Sequence, residues 1–213
     1  MSRWFRVAAL ASVAFTLMAL GAALRPLVLP EGHTAAPVLS AVEIGFAQDM
    51  TAHHQQALIM VQRLDRGVDP TVLRLAQQLS DAQRIEIGTM LGWLRLADAS
   101  PLSSHPMAWM HADSAASQHH PSANPSDGDA MPGMATTVEL DALAAARGRD
   151  AEILFLQMML RHHQGGLVMA RAADELLPSG AVKETARSMF QSQSQEAGVI
   201  SVLLAQLSGQ APQ

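Results

Sequence analysis

Two adjacent histidines occur twice in this chain in the same setting. The run Phe46-Ala47-Gln48-Asp49-Met50-Thr51-Ala52-His53-His54-Gln55 returns as Phe155-Leu156-Gln157-Met158-Met159-Leu160-Arg161-His162-His163-Gln164, at an offset of 109. Glu43 matches Glu152, and Met60 matches Met169. A second motif follows each copy: Gln83-x-x-Glu86 returns as Gln193-x-x-Glu196, at an offset of 110. Imidazole, thioether and carboxylate are all metal-donor groups. On a helix, Glu43, Met50, His53 and His54 share an arc about 100° wide. Met50 stands three residues before His53 and four before His54, within side-chain reach of both. Glu152, Met159, His162 and His163 repeat the arc.

Histidine with methionine points to copper, since thioethers suit Cu(I) and imidazoles accept either oxidation state. Another divalent metal is the weaker alternative. The candidate metal ligands are therefore His53, His54, His162, His163, Met50, Met159, Glu43, Glu152, Glu86 and Glu196. Each has a plainer reading. The methionines fill core space. Glu43 and Glu152 lie near helix starts and could be caps. Glu86 and Glu196 could orient the imidazoles from outside the ligand set. Gln83 and Gln193 are expected as buried hydrogen-bond partners.

A di-iron carboxylate site in a helical bundle needs Glu-x-x-His on two helices. Here the residue three before His53 is Met50, and three before His162 is Met159. No Gly-x-Ser-x-Gly, His-Glu-x-x-His or phosphate-cradling glycine loop is present. The chain is read as a non-enzyme. With no cysteine, disulfides, thiolate zinc sites and iron–sulfur clusters are excluded. With no tyrosine, tyrosyl-radical chemistry is excluded as well. A formal net charge of −5 and the lack of a basic patch argue against nucleic acid as a partner. The partners implied are a metal ion and, if the amino-terminal segment is retained, the membrane; the sequence is compatible with a homodimer without requiring one.

The elements that must position these residues read as helices. Phe46, Met50, His53, Ala57, Met60 and Leu64 keep helical spacing, as do Leu79, Glu86, Met90 and Trp93. Ser40 with Glu43 is a capping-box pattern, and Asp69-Pro70 supplies a cap and a first-turn proline. Helical segments are predicted at about 40–66, 70–98, 137–176 with a break near Gly148, and 180–207. The fold class is all-α: an antiparallel four-helix bundle of two repeated hairpins. The first hairpin is placed at 40–98 and the second at 137–207, with a tail at 208–213. Residues 99–136 hold five of the 11 prolines and show no period, so they read as a flexible Pro/Met/His-rich crossover linker. That linker also carries His105, Met107, Met110, His111, His119, His120, Met131 and Met134, a candidate capture segment for metal.

At the amino terminus, Arg3 and Arg6 precede an uncharged run from Val7 to Leu24. This is the pattern of a signal peptide or a membrane anchor over residues 1–25, with a short linker at 26–39. Either way the remainder is expected outside the cytoplasm, soluble after cleavage or anchored by the helix. Cleavage after Ala23 removes two arginines and takes the net charge from −5 to −7.

The doubled Phe-x-x-x-Met-x-x-His-His-Gln resembles the bacterial ferritin-like family catalogued as domain of unknown function 305. Met131-Pro132-Gly133-Met134 and Gln83-x-x-Glu86-Ile87-x-x-Met90-x-x-Trp93-Leu94 are similar to that family too. The resemblance spans about residues 40–207. It implies a ferritin-like bundle in an exported or anchored protein, and in some members an association with periplasmic copper binding and tolerance. Departures are Glu152 in place of a family aspartate, Ile200 opposite Met90, and Gly165-Gly166 opposite Gln56-Ala57, which predicts local flexibility beside one histidine pair. The functional expectation is an exported copper buffer or chaperone. The alternatives are a structural or interaction module with a polar core, and a ferritin-like metal-dependent oxidase.

Overall fold

Ser40 opens the first bundle helix as the capping pattern requires. Its backbone N–H donates to Glu43 Oε2 at 2.7 Å, and its hydroxyl accepts from Glu43 N at 3.3 Å. In the computed structural model, which describes residues 3–28, 37–111 and 131–209, this helix is α2, Ala41–Arg63. Asp69 caps α3, Pro70–Leu96, by accepting from Thr71 N at 2.6 Å, with Pro70 in the first turn. Thr136 and Glu139 form a second capping box at the start of α4, Thr137–Ala145. The chain breaks at Ala146 and Arg147, and α5 then runs Gly148–Leu176. Gly180, at φ 108°, makes the turn into α6, Ala181–Gly209.

α2 pairs with α3, α5 pairs with α6, and the two hairpins meet through α2 against α5. Cross-links show that all three pairings are antiparallel. Asp65, just past the end of α2, accepts from Gly148 N at the start of α5 at 3.0 Å. Gln48 near the start of α2 donates to Ser100 O beyond the end of α3 at 2.7 Å. Asp174 late in α5 pairs with Arg187 early in α6 at 2.9 Å. Two apolar clusters fill the interior. One gathers Ala57, Met60, Leu79, Phe155, Met159 and Ile200. The other gathers Phe46, Met50, Met90, Leu94, Met169 and Met189. Along both α2 and α5 the histidine pairs fall between the two clusters.

The crossover differs from a flexible linker at both ends. Residues 99–111 follow α3 onto α2 and finish in a 3₁₀ turn, Ala108–His111. Met107 and Trp109 are buried there. The buried Asp49 carboxylate accepts from Met107 N at 2.6 Å and from the Trp109 indole at 2.9 Å. Gly45 has no Cβ, which leaves room for the Trp109 side chain against α2. At the other end, Ala135 exchanges two hydrogen bonds with the Gln56 amide, at 2.8 and 2.5 Å. Neither fixation involves a periodic pattern, so neither could appear in a reading of period. His105 and His111 are exposed, and Met110, Met131 and Met134 are half-buried. His119 and His120 lie outside the described residues.

Residues 1–38 and the bundle from Leu39 onward are separate units. The first contains one helix, α1, Arg3–Val28, covering the uncharged run. Among the described residues no helix is long and apolar enough to cross a membrane. The anchor reading therefore rests on sequence alone.

Candidate metal centre

His53 from α2 and His162 from α5 stack where the two helices cross. Their ring centroids are 3.8 Å apart and their planes 31° from parallel. His53 Nε2–H donates to Pro132 O at 3.1 Å, and His162 Nε2–H donates to the backbone carbonyl of His53 at 2.8 Å. A carbonyl only accepts, so both rings carry a proton on Nε2. Burial, reinforced by the neighbouring His54, brings the His53 pKa down to about 3. Burial and then His53 push His162 well below the ordinary histidine value. Both rings are neutral near pH 7, and each therefore bears its lone pair on Nδ1.

The second histidine of each pair faces its own hairpin partner. His54 Nε2 lies 2.5 Å from Glu86 Oε2 on α3, and His163 Nε2 lies 2.9 Å from Glu196 Oε2 on α6. His163 also donates from Nδ1 to Met159 O at 2.9 Å. All four imidazoles are buried, while Glu86 and Glu196 are partly exposed. The Nδ1 atoms of His53 and His54 are buried and have no hydrogen-bonding partner.

The histidines, Glu86 and Glu196 thus form one polar layer. Met50 and Met159 lie one turn away on the same helices, fully buried, as do Met60 and Met169 further along. Glu43 and Glu152 are elsewhere. Glu43 closes the capping box of α2, and Glu152 accepts from Asp69 N at the start of α3 at 2.6 Å. Glu43 caps its own helix, as the plainer reading had it, whereas Glu152 serves the start of α3 and not that of its own helix. Gln83 and Gln193 are buried, yet Gln83 Oε1 and Gln193 Nε2 lack partners.

Among the described residues no three or more His, Asp or Glu side chains converge to hold a metal ion. The available donors are bare imidazole nitrogens with thioethers one turn away. That set fits a soft ion content with few ligands better than a hard ion needing several oxygens. Glu86 and Glu196 hydrogen-bond to the rings of His54 and His163.

Sequence reasoning singled out Met131-Pro132-Gly133-Met134 only as a family likeness and missed that this segment holds His53. Pro132 and Gly133 lie against α5, and a Cβ on Gly165 would overlap the Pro132 carbonyl. One on Gly166 would overlap the Gln193 amide. Both glycines are buried inside α5, so they provide close approach where flexibility was predicted. Asp49 and Gln56 were also missed. The only available signal was the departure from repeat symmetry at Asp49/Met158 and Gln56/Gly165.

The bundle has solved counterparts. A Streptomyces coelicolor DUF305 protein described as secreted is similar over 81% of this chain and 96% of its own, with 35% identity and a TM-score of 0.67. A DUF305 fragment from Deinococcus radiodurans is similar over 78% of this chain and 97% of its own, with 28% identity and a TM-score of 0.62. No curated protein matches. Residues 43–204 match the family described as Domain of unknown function (DUF305), and the match takes in both histidine pairs, both glutamates and the intervening crossover. The chain belongs to the DUF305 family.

Proposed function

We propose that this chain is an exported protein that binds copper as cargo, buffering or passing it on without catalysing a reaction. The supporting observation is the pair of buried, unpartnered Nδ1 atoms on His53 and His54, with the Met50 thioether one turn away. Leaving such a polar atom unpaired costs about 1–3 kcal/mol each. A bound Cu(I) ion would supply the missing interaction and suit the soft donors. Export is supported by the amino-terminal run and by the secreted description of the similar Streptomyces protein.

A second reading has its own support. Five ring nitrogens of the four histidines are already hydrogen-bonded. Such a layer could serve only to fix helix register.

Melting curves of the full chain with Cu(I), Cu(II), Zn(II) and Fe(II) separate the two. An ion that binds only the folded state raises the melting temperature with the logarithm of its free concentration. The copper reading expects a shift with Cu(I) that disappears in the His53→Ala/His54→Ala variant. No shift with any ion would leave the register reading in its place.

A further inference from the structure

The doubled motif invites two equivalent metal sites, one per hairpin. The ring nitrogens do not divide that way. In the second hairpin both nitrogens of His163 are committed, Nδ1 to Met159 O and Nε2 to Glu196, each at 2.9 Å, so Nδ1 of His162 is its one ring nitrogen with a lone pair to offer, against two in the first. The matching bond in the first hairpin, from His54 Nδ1 to Met50 O, is not made, and His54 Nδ1 is left without a partner. His53 Nδ1, on the adjacent residue, is also unpartnered. Ring spacing does not distinguish the halves, since both pairs have centroids 6.3 Å apart.

The other unpartnered buried atoms follow the same split. Ser80 Oγ and Gln83 Oε1, both on α3 of the first hairpin, are atoms with lone pairs to offer. Among the described residues, the second hairpin has only one such atom, on the Gln193 amide that corresponds to Gln83. Ser80 matches Phe190 in the second hairpin, so part of the asymmetry is written in the sequence.

We propose that the chain has one site for a soft monovalent metal ion, in the first hairpin, with Nδ1 of His53 and Nδ1 of His54 as its imidazole donors. His163 and Glu196 form a hydrogen-bonded strut in the position where a second site would otherwise stand. The proposal rests on the metal-binding reading above.

The test uses the full chain with ¹⁵N-labelled histidine, titrated with Ag(I) as a redox-inert probe and with Cu(I) against a chromophoric chelator. The expected result is saturation at one equivalent. The Nδ1 resonances of His53 and His54 move, and both His163 nitrogens stay in place. His54→Asn weakens binding by about 100-fold or more, beyond what loss of an outer orienting group does. His163→Asn leaves the stoichiometry at one. If that variant fails to fold, the resonances of the unmutated chain still decide. Saturation at two equivalents, or movement of His163 Nδ1, overturns the single site while leaving metal binding intact. If no histidine resonance moves with either ion, the metal-binding reading falls and the single site falls with it.

Discussion

His53 is kept neutral by burial and by His54, and this makes stability depend on pH in a definite direction. Its pKa is about 3 in the folded chain, against an ordinary value of 6.5. Between those values the unfolded chain binds a proton that the native chain refuses. The stabilisation is therefore fully present above pH 6.5 and is lost as pH falls toward 3. At pH 5 the loss from His53 alone is on the order of 2 kcal/mol. His162, displaced in the same direction, adds to it. The urea midpoint of the metal-free chain should fall steeply from pH 7 to pH 5, and His53→Asn should flatten the slope. A midpoint constant over that range would mean the rings are not held neutral. Glycines offer a test of opposite signs. Gly165→Ala places a methyl group on the Pro132 carbonyl and should cost about 1–3 kcal/mol. Gly88→Ala and Gly198→Ala add a methyl where nothing lies within 4 Å, on exposed helix surface, and should stabilise by about 0.5–1 kcal/mol. Melting of the three variants side by side checks both signs.

At the scale of the element, the stretch after α3 is held by one buried carboxylate. Asp49 takes both Met107 N and the Trp109 indole, and burial raises its pKa despite those bonds. Asp49→Ala would leave two buried N–H groups unpaired and should destabilise by about 1–3 kcal/mol or more. The Trp109 indole resonance should shift toward a solvent-exposed position. If that resonance is unchanged, Phe46, which meets the Trp109 ring edge-on at 5.6 Å, holds the turn without Asp49. The same stretch shows what the sequence makes legible. Helix starts at Ser40, Asp69 and Thr136 are local, since a cap and the backbone N–H it accepts from lie within three residues. The break before Gly148 is local too. The ordered ends of the crossover are not, because Asp49 and Trp109 are 60 residues apart and Gln56 and Ala135 are 79 apart. Likewise the repeat reveals that the four histidines share a layer. It does not reveal which nitrogens are free, because that depends on carbonyls such as Pro132 O that no side-chain pattern records.

Across the bundle, the two hairpins are joined by more than helix packing. His53 and His162 stack between them, and the Pro132 carbonyl reaches across from the α5 side to accept the hydrogen bond from His53 Nε2–H. The segment that carries Pro132 is fixed to α2 by Gln56, and a capping carboxylate just beyond it, Glu139, pairs with Arg161 on α5 at 2.7 Å. That arginine, with the Thr136 backbone, holds the Glu139 carboxyl down to about 2. Separating the hairpins would expose both apolar clusters, since each draws residues from α2 or α3 and from α5 or α6. Local hairpin contacts alone would allow one half to melt while the other persists. The shared clusters and the bridging segment require both to melt together. Amide exchange under native conditions tests this directly. The slowest amides of α3 and of α6 should open with the same free energy, and Gln56→Ala should lower both equally although it lies in neither helix. Were α3 to lose protection alone, the bridge would be ornamental to stability, and the two copies of the motif would be independent units placed side by side.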